Sequence, residues 1–166
     1  MSFFPHYMDD ALIEAGRALT AGDFPVGCVL VDAGGVVAAG HRINSGGVGN
    51  ELDHAEMRAL HHYVESRRPG EAMPFTVYCT MEPCLMCYSA LVLHGADTII
   101  YGYEDVMGGG CSLPPASLPP LFRKRHPRII GGVRRADCLA LFKQFFADHR
   151  NAYWQGSLLA RYTLRQ

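Results

Sequence analysis

The order of the predicted elements constrains this chain most: a pair of adjacent strands comes first, and later strands alternate with helices. A β-rich run over 26–31, turn residues at 32–35 and a second run over 36–41 predict a β-hairpin. Further strands are predicted over 75–79, 98–101 and 128–133. Because helical connections join parallel strands, the order predicts a mixed five-stranded sheet with helices on both faces, an α/β fold of the three-layer α/β/α type.

Apolar spacing typical of amphipathic helices fills the segments between the strands. Helices are predicted over 7–20, 54–66, 84–93, 136–149 and 151–165. A Gly/Pro-rich stretch over 108–120 is predicted to be a loop. We therefore expect one domain over 1–149, with 150–166 as a helical extension of that domain.

Composition narrows the class of protein. The 166 residues are 49% apolar and 19% charged, which excludes a disordered or coiled-coil chain. No apolar run approaches the roughly 18 residues that span a bilayer, and the N-terminus lacks a basic-then-apolar export pattern. In such a chain, six cysteines are typical of metal ligands or core thiols. We expect a cytoplasmic protein that does not enter a membrane.

Charge is distributed unevenly along the chain. Residues 1–66 carry nine acidic side chains and three arginines, whereas residues 106–136 carry six basic side chains and no acidic one. The basic stretch is either a solvated surface, a complement to an acidic partner subunit, or a patch that faces phosphates. Charge alone does not decide between these interpretations.

Two short segments contain the residues suited to chemistry, and each begins a predicted helix. Segment 54–56 reads His-Ala-Glu, and segment 83–87 reads Pro-Cys-Leu-Met-Cys. Cysteines three residues apart share one helix face, so Cys84 and Cys87 can bind one ion together. The N–H groups and dipole of a helix N-terminus stabilise the thiolates that bind metal.

With His54 as a third ligand, this set predicts a zinc site with a fourth position left for water, as in catalytic zinc sites. Two thiolates and a neutral imidazole make the zinc complex formally neutral, so it acidifies water less than a three-histidine site does. A nearby base is then useful. Glu56 is placed to take the proton from that water.

Other interpretations of the cysteines stay open at this point. A Cys-x-x-Cys pair after a strand is also typical of thioredoxin-like redox proteins. A structural zinc site needs a fourth ligand, for which Cys79 and Cys111 are the candidates. Cys28 and Cys138 lie in apolar patterns and are predicted to be small core residues.

The two segments together resemble the cytidine deaminase superfamily, zinc-dependent deaminases with an H-x-E and P-C-x-x-C pattern. The resemblance covers roughly residues 7–149 and points towards bacterial tRNA-specific adenosine deaminases and guanine deaminases. It is carried by the two segments and by residues 24–31, 80–87, 131–133, 136–139 and 145–146.

The resemblance implies a cytidine deaminase-like fold with zinc bound by His54, Cys84 and Cys87 and with Glu56 as proton shuttle. The implied reaction adds water to the amine-bearing ring carbon of a nucleobase and releases ammonia. Members of this branch are usually dimers, so the resemblance also implies a homodimer.

The resemblance further implies a set of residues that contact the substrate. Asn44 matches the family asparagine that hydrogen-bonds the base. The backbone around Ala55, Glu82 and Cys84 is implied to line the pocket, and Val26 and Pro25 are implied to supply an apolar wall.

Two interpretations of the substrate compete, with a purine slightly favoured. The overall resemblance and the basic 123–135 region favour adenosine in tRNA. The acidic first half, Asp53 before the zinc histidine, and the acidic pair Glu104 and Asp105 favour a small free substrate such as guanine or cytosine. The aromatic tail over 150–166 either caps the pocket or packs on a partner subunit. A non-catalytic zinc-stabilised binding module is the alternative from another class.

Overall fold

The computed structural model describes residues 6–46, 50–67 and 73–166. Within them, one sheet has the strand order β2-β1-β3-β4-β5. The strands are β1 (Gly27–Asp32), β2 (Gly35–His41), β3 (Phe75–Met81), β4 (Ala96–Tyr103) and β5 (Arg128–Ile130). β1 is antiparallel to β2 and β3, and β4 is parallel to β3 and β5. The mixed five-stranded sheet and its opening hairpin are confirmed.

Helices cover both faces of this sheet, which confirms the three-layer architecture. They are α1 (Tyr7–Thr20), α2 (Ala55–Glu65), α3 (Leu85–Leu93), α4 (Pro120–Lys124), α5 (Arg135–Ala147) and α6 (Leu158–Arg165). α1 and α5 contact each other and the sheet on one side, and α2 and α3 contact each other on the opposite side. α6 packs on α5. None of the helices in the described part of the chain has the length and apolar character needed to span a membrane.

Strand β3 lies at the centre of the core, and all seven of its residues are buried. Strands covered on both faces are expected to be apolar throughout rather than alternating. The strand ends directly before the Pro-Cys segment, so the most buried element of the sheet places that segment. The position of the site is therefore set by the core.

A glycine in β2 lets helix α2 lie directly against the sheet. A Cβ atom on Gly40 would be 2.5 Å from the carbonyl oxygen of Ala55 and 2.7 Å from the nitrogen of Ala59. Both distances are too short for any side chain. Helix α2 carries the His-Ala-Glu segment, so this close backbone contact fixes its height above the strand.

The largest differences from the sequence-based expectations are in three elements. The fifth strand ends at Ile130 rather than 133, because Gly132 has a φ of +82° that interrupts the extended backbone. The last helix begins at Leu158 rather than at 151, where the side chain of Ser157 accepts a hydrogen bond from the Ala160 N–H. The stretch predicted as loop contains a 3-10 turn (Pro115–Ser117), and the prolines around it precede the unpredicted helix α4.

Candidate functional site

Two helix N-termini meet at the candidate site. His54 and Cys84 are the N-cap residues of α2 and α3, both with extended backbone, and Cys87 lies in the first turn of α3. The sequence-based helix over 84–93 is thus one residue too long at its start. The N-cap and the third helical residue are neighbours in space, so the two cysteine side chains face the same point.

The three side chains converge at distances that suit zinc. His54 Nδ1 lies 3.6 Å from Cys84 Sγ and 3.5 Å from Cys87 Sγ. With Zn–S near 2.3 Å and Zn–N near 2.0–2.1 Å, tetrahedral geometry requires an N···S separation of about 3.5–3.6 Å. The ligand atoms of all three residues lie within 4.8 Å of one another. The donor set and its spacing therefore fit a zinc ion.

The other side of the His54 ring is supported by Glu51. His54 Nε2 lies 3.2 Å from Glu51 Oε2, the arrangement by which a carboxylate orients a zinc-binding imidazole. The same oxygen accepts hydrogen bonds from the Tyr153 hydroxyl at 3.0 Å and from Arg42 Nη2 at 3.2 Å. One carboxylate oxygen thus links the His54 ring to Arg42 and to the C-terminal segment.

Hydrogen bonding lowers the pKa of the Cys84 thiol and so favours the thiolate form that binds metal. The Cys87 side chain, and then His54, lower the pKa of Cys84 to about 4, so this thiol is ionised near neutral pH. The same contact raises the pKa of Cys87, because the two sulfurs share one proton. The pair fits a divalent cation, whose binding displaces that remaining proton.

Glu56 is buried beside these ligands. Its side chain is 3% exposed, and its Oε2 atom has no hydrogen-bond partner in the described part of the chain. Burial raises the pKa of this carboxyl. A buried carboxylate oxygen with a free acceptor site beside a metal centre is suited to receive a proton from water.

A cavity of about 230 Å³ opens over the ligands and Glu56. Its walls are mostly apolar, and several charged side chains reach it. The lining residues beyond the site itself are Phe24, Val26, Arg42, Glu51, Ala55, Met81, Glu82, Asp105, Met107, Gly108, Tyr153, Trp154 and Leu159.

Comparison with known proteins decides the family. Residues 1–103 match the cytidine and deoxycytidylate deaminase zinc-binding region. The chain belongs to this family. It carries a zinc-binding deaminase domain, and His54, Cys84 and Cys87 are its possible metal site.

The similarity between this chain and known proteins extends beyond residues 1–103. The tRNA-specific adenosine deaminase of Bacillus subtilis is 31% identical over 87% of this chain and 89% of its own length. The tRNA(Ile)-lysidine synthase of Thermus thermophilus is 37% identical over 90% of this chain, which spans only 26% of that protein. A solved structure from work on A-to-I editing by tRNA deaminases at the wobble position has a TM-score of 0.70 and 27% identity, covering 83% of this chain and 99% of that one.

The structure brings together only some of the residues expected to contact substrate. Val26, Ala55 and Glu82 line the cavity, whereas Asn44 and Pro25 are not among its lining residues. The Asn44 side chain is exposed and donates a hydrogen bond to Asp53 at 3.0 Å. Its contact with substrate stays a prediction.

The family resemblance implied only a backbone role for Glu82, whereas its side chain also contacts the loop after β4. Its carboxylate accepts N–H hydrogen bonds from Asp105 at 3.2 Å and Cys111 at 3.1 Å. A Cβ on Gly109 would lie 2.5–2.6 Å from this carboxyl group. The buried side chain therefore holds the loop after β4 against the cavity.

The acidic pair after β4 does not act as two free charges. Glu104 is paired with Arg135, whose Nε donates to Oε2 at 2.8 Å, and it also accepts from the Tyr162 hydroxyl. A cation compensates the charge of Glu104, so of the acidic pair only Asp105 still favours a small free substrate over an RNA. Only Asp105 reaches the cavity.

Two parts of the cavity lining have no clear signal in the sequence: Arg42 and the aromatic tail over 150–166. Arg42 is 2% exposed and lines the cavity, and nothing in its local pattern distinguishes it from a surface arginine. The sequence leaves open whether the aromatic tail over 150–166 caps the pocket or packs on a partner subunit, and in the structure its residues Tyr153 and Trp154 line the cavity. For the fourth-ligand alternative, neither Cys79 nor Cys111 joins the convergent group within the described residues.

Proposed function

We propose that this chain is a zinc-dependent hydrolytic deaminase that converts an exocyclic amine of a nucleobase, with a purine favoured, to a carbonyl. Water supplies the oxygen, the bond between the ring carbon and the amino nitrogen breaks, and ammonia leaves. The proposal rests on one observation: a His-Cys-Cys set spaced for zinc shares a small cavity with a buried carboxylate that has a free oxygen.

Each site residue then has a distinct role. His54, Cys84 and Cys87 would hold the zinc ion, which when bound makes a water molecule more acidic. Glu56 accepts one proton from the attacking water and delivers it to the ring nitrogen, and it then moves the proton of the added hydroxyl to the departing amine. Its burial keeps the proton transfer away from bulk solvent.

The remaining residues of the prediction shape the substrate-binding part of the cavity. Val26 and Ala55 supply wall atoms, and Glu82 holds the adjoining loop. Asn44 and Pro25 stay predictions for substrate contact. For Asn44, this contact requires its side chain to leave Asp53.

Replacing Glu56 tests the proposed reaction. Glu56→Gln should retain zinc and fold but lower ammonia release by about 10²–10⁴-fold, the usual contribution of a positioned acid–base group. Glu65→Gln, an exposed carboxylate on the same helix, is the matched control and should leave the rate unchanged. Zinc content, circular dichroism and ammonia release are measured on both variants.

The same experiment separates the competing classes. A non-catalytic zinc-stabilised module would bind zinc, yet neither variant would affect any measured function. A redox protein would purify without metal and would cycle between a Cys84–Cys87 disulfide and the dithiol. Either result would refute the deaminase proposal.

Adenosine in tRNA is a second candidate substrate, favoured by the Bacillus subtilis relative, which this chain matches over most of both lengths. If tRNA is bound, neutralising Arg123, Lys124 and Arg125 on and beside α4 should weaken binding and flatten its salt dependence. Inosine formation in an anticodon stem-loop and binding at several salt concentrations would measure both effects.

A homodimer and a cytoplasmic location belong to the same proposal. Helices α2 and α3 leave apolar side chains exposed, including Val64, Leu85 and Leu93. Such residues on neighbouring helices are suited to an interface between copies. Light scattering on the purified chain measures the oligomeric state.

A further inference from the structure

The His54 ring needs support on the side that faces away from the two cysteines. Its Nδ1 atom lies 3.5 and 3.6 Å from their sulfurs. A neutral imidazole that binds a metal through Nδ1 carries its proton on Nε2, so Nε2 is a hydrogen-bond donor. The acceptor is Glu51 Oε2 at 3.2 Å. The direction in which Nδ1 points therefore depends on where this carboxylate is held.

Packing alone does not hold Glu51 in place. The residue precedes His54 by three positions in the segment between β2 and α2, and its side chain is 52% exposed. An exposed glutamate has several accessible rotamers, so its carboxylate stays in one position only when donors fix it. Two such donors are present: Oε2 accepts from the Tyr153 hydroxyl at 3.0 Å and from Arg42 Nη2 at 3.2 Å.

Arg42 is itself a fixed donor. Its side chain is 2% exposed, and Nη2 also donates to the carbonyl oxygen of Asn50 at 2.7 Å. The backbone N–H of Arg42 donates to the Val26 carbonyl at 2.9 Å, which ties the residue to the segment before β1. Its charge compensates that of Glu51, so the carboxylate reaches the cavity without adding an unpaired charge.

The C-terminal segment supplies the second donor and is held on both sides of it. Asn151 Nδ2 donates to the Phe145 carbonyl at 3.1 Å, and Gln155 Nε2 donates to the Phe146 carbonyl at 3.2 Å. Both carbonyls belong to the last turn of α5, where helix carbonyls are open to partners from outside the helix. Tyr153 lies between these two amide side chains, so its backbone is attached to the end of α5.

The Tyr153 ring is fixed as well. Its centroid lies 5.4 Å from that of Phe24, a core residue that is 6% exposed. The Arg42 guanidinium lies 5.4 Å from the same centroid. With the ring placed by these neighbours, its hydroxyl is directed at Glu51, which lies 102 residues earlier in the chain. The tail therefore contributes a fixed hydrogen bond to the carboxylate that supports the His54 ring.

From these contacts we infer that Tyr153 and Glu51 are positioning residues for the zinc ligand His54, so that the C-terminal segment determines part of the affinity of the site for zinc. Tyr153 acts through Glu51, and Glu51 acts through the His54 ring. The inference goes beyond the proposed reaction, because it concerns how the chain holds its metal and not which amine is removed.

The zinc affinity of the full chain tests the role of Tyr153. Tyr153→Phe removes the hydroxyl and keeps the ring, so the packing against Phe24 is preserved. The variant should raise the Kd for zinc by about 2- to 12-fold, the net worth of one hydrogen bond. Competition with a chromophoric chelator measures this Kd, and circular dichroism confirms that the variant folds.

Tyr162→Phe is the matched control. Tyr162 lies in the same C-terminal region, on α6, and its hydroxyl also donates to a glutamate, Glu104, at 2.6 Å. That glutamate is paired with Arg135 and is not among the residues that line the cavity. The control loses the same atom and the same kind of hydrogen bond away from the metal site, so its Kd for zinc should equal that of the parent chain.

Replacing Glu51 should have the larger effect, because it removes the acceptor itself. Glu51→Ala should raise the Kd for zinc by about 10- to 100-fold, as for other residues that support metal ligands. Glu51→Gln keeps an oxygen that can accept from Nε2 and should recover part of the affinity. Glu65→Ala is the control, because Glu65 is an exposed glutamate on α2 that does not line the cavity.

A spectroscopic measurement separates positioning from fold stability. Cobalt(II) in the place of zinc absorbs visible light, and its bands depend on the geometry of its ligands. Glu51→Ala should shift these bands relative to the parent chain, whereas Tyr162→Phe and Glu65→Ala should not. A change in fold stability alone would lower the fraction of folded protein without shifting the bands.

The possible failures are distinguishable. A parental Kd for zinc in Glu51→Ala, or unshifted cobalt bands in that variant, would overturn the inference and leave the proposed deaminase function standing. Equal Kd values in Tyr153→Phe and Tyr162→Phe would also overturn it, because the C-terminal segment would then have no part in metal binding. A parent chain that binds no zinc would refute the proposed function and the inference together.

Discussion

The two sides of the cavity are built in different ways. The metal side comes from the N-termini of α2 and α3, which follow β2 and β3 in the chain, and its ligands are found in two segments of three and five residues. The opposite side is assembled from the segment before β1, the loop after β4 and the C-terminal segment, which meet only in the folded protein. A short motif therefore determines the chemistry, whereas the choice of substrate depends on long-range packing.

Removing a metal ligand should have the largest effect, and this effect should be confined to the metal side of the cavity. Cys87→Ala leaves two ligands, so we expect loss of bound zinc and of all ammonia release. Cys138→Ala is the matched control, because this cysteine is equally buried but lies on α5 outside the convergent group. Metal analysis of both purified variants provides the measurement. Full zinc content in Cys87→Ala would remove this residue from the site.

Phe24 tests how far the two sides depend on one shared core. The residue is 6% exposed, and its ring lies 5.2 Å from those of Phe142 and Phe145 as well as near Tyr153. Phe24→Ala should lower the free energy of unfolding by about 3–5 kcal/mol, as for other buried aromatic truncations. Urea unfolding is the measurement. Phe24→Leu should restore the larger part of the loss, and an unchanged stability of Phe24→Ala would contradict the packing described here.

The smallest effect is expected where the tail meets β4. Arg135 lowers the pKa of Glu104 to about 2, so this ion pair stabilises the fold above the ordinary carboxyl pKa near 4.5 and loses its effect as pH falls from 4.5 towards 2. Both side chains are about one third exposed, which limits the contribution to about 0.5–1 kcal/mol. Glu104→Gln should therefore be less stable than the parent chain at pH 6, and the difference should shrink at pH 3.

Urea unfolding of both chains across this pH range measures the effect. Asp10→Asn, on α1, is a control for the general loss of a carboxylate. A stability difference that stays constant from pH 6 to pH 3 would show that the ion pair does not contribute.

The sequence predicted the frame and the metal side well for a physical reason. Strand periodicity, the hairpin turn and the two helix starts are local signals, and His54, Cys84, Cys87 and Glu56 all lie within them. The burial of Arg42 has no such signal, because it depends on Glu51 and on Tyr153 more than 100 residues away. The same holds for Glu104, whose partner Arg135 lies on α5. Contacts of this kind are decided by tertiary structure and not by pattern.

The backbone-to-backbone contact between Gly40 and helix α2 limits which substitutions the enzyme can accept. Even a methyl group at position 40 would push the Ala55 and Ala59 backbone away from its strand and would misalign His54 with the two cysteines. In a mutant library, position 40 should accept no replacement, although it lies outside the cavity lining. Trp154, which lines the cavity and is 43% exposed, is the position at which to select new specificities.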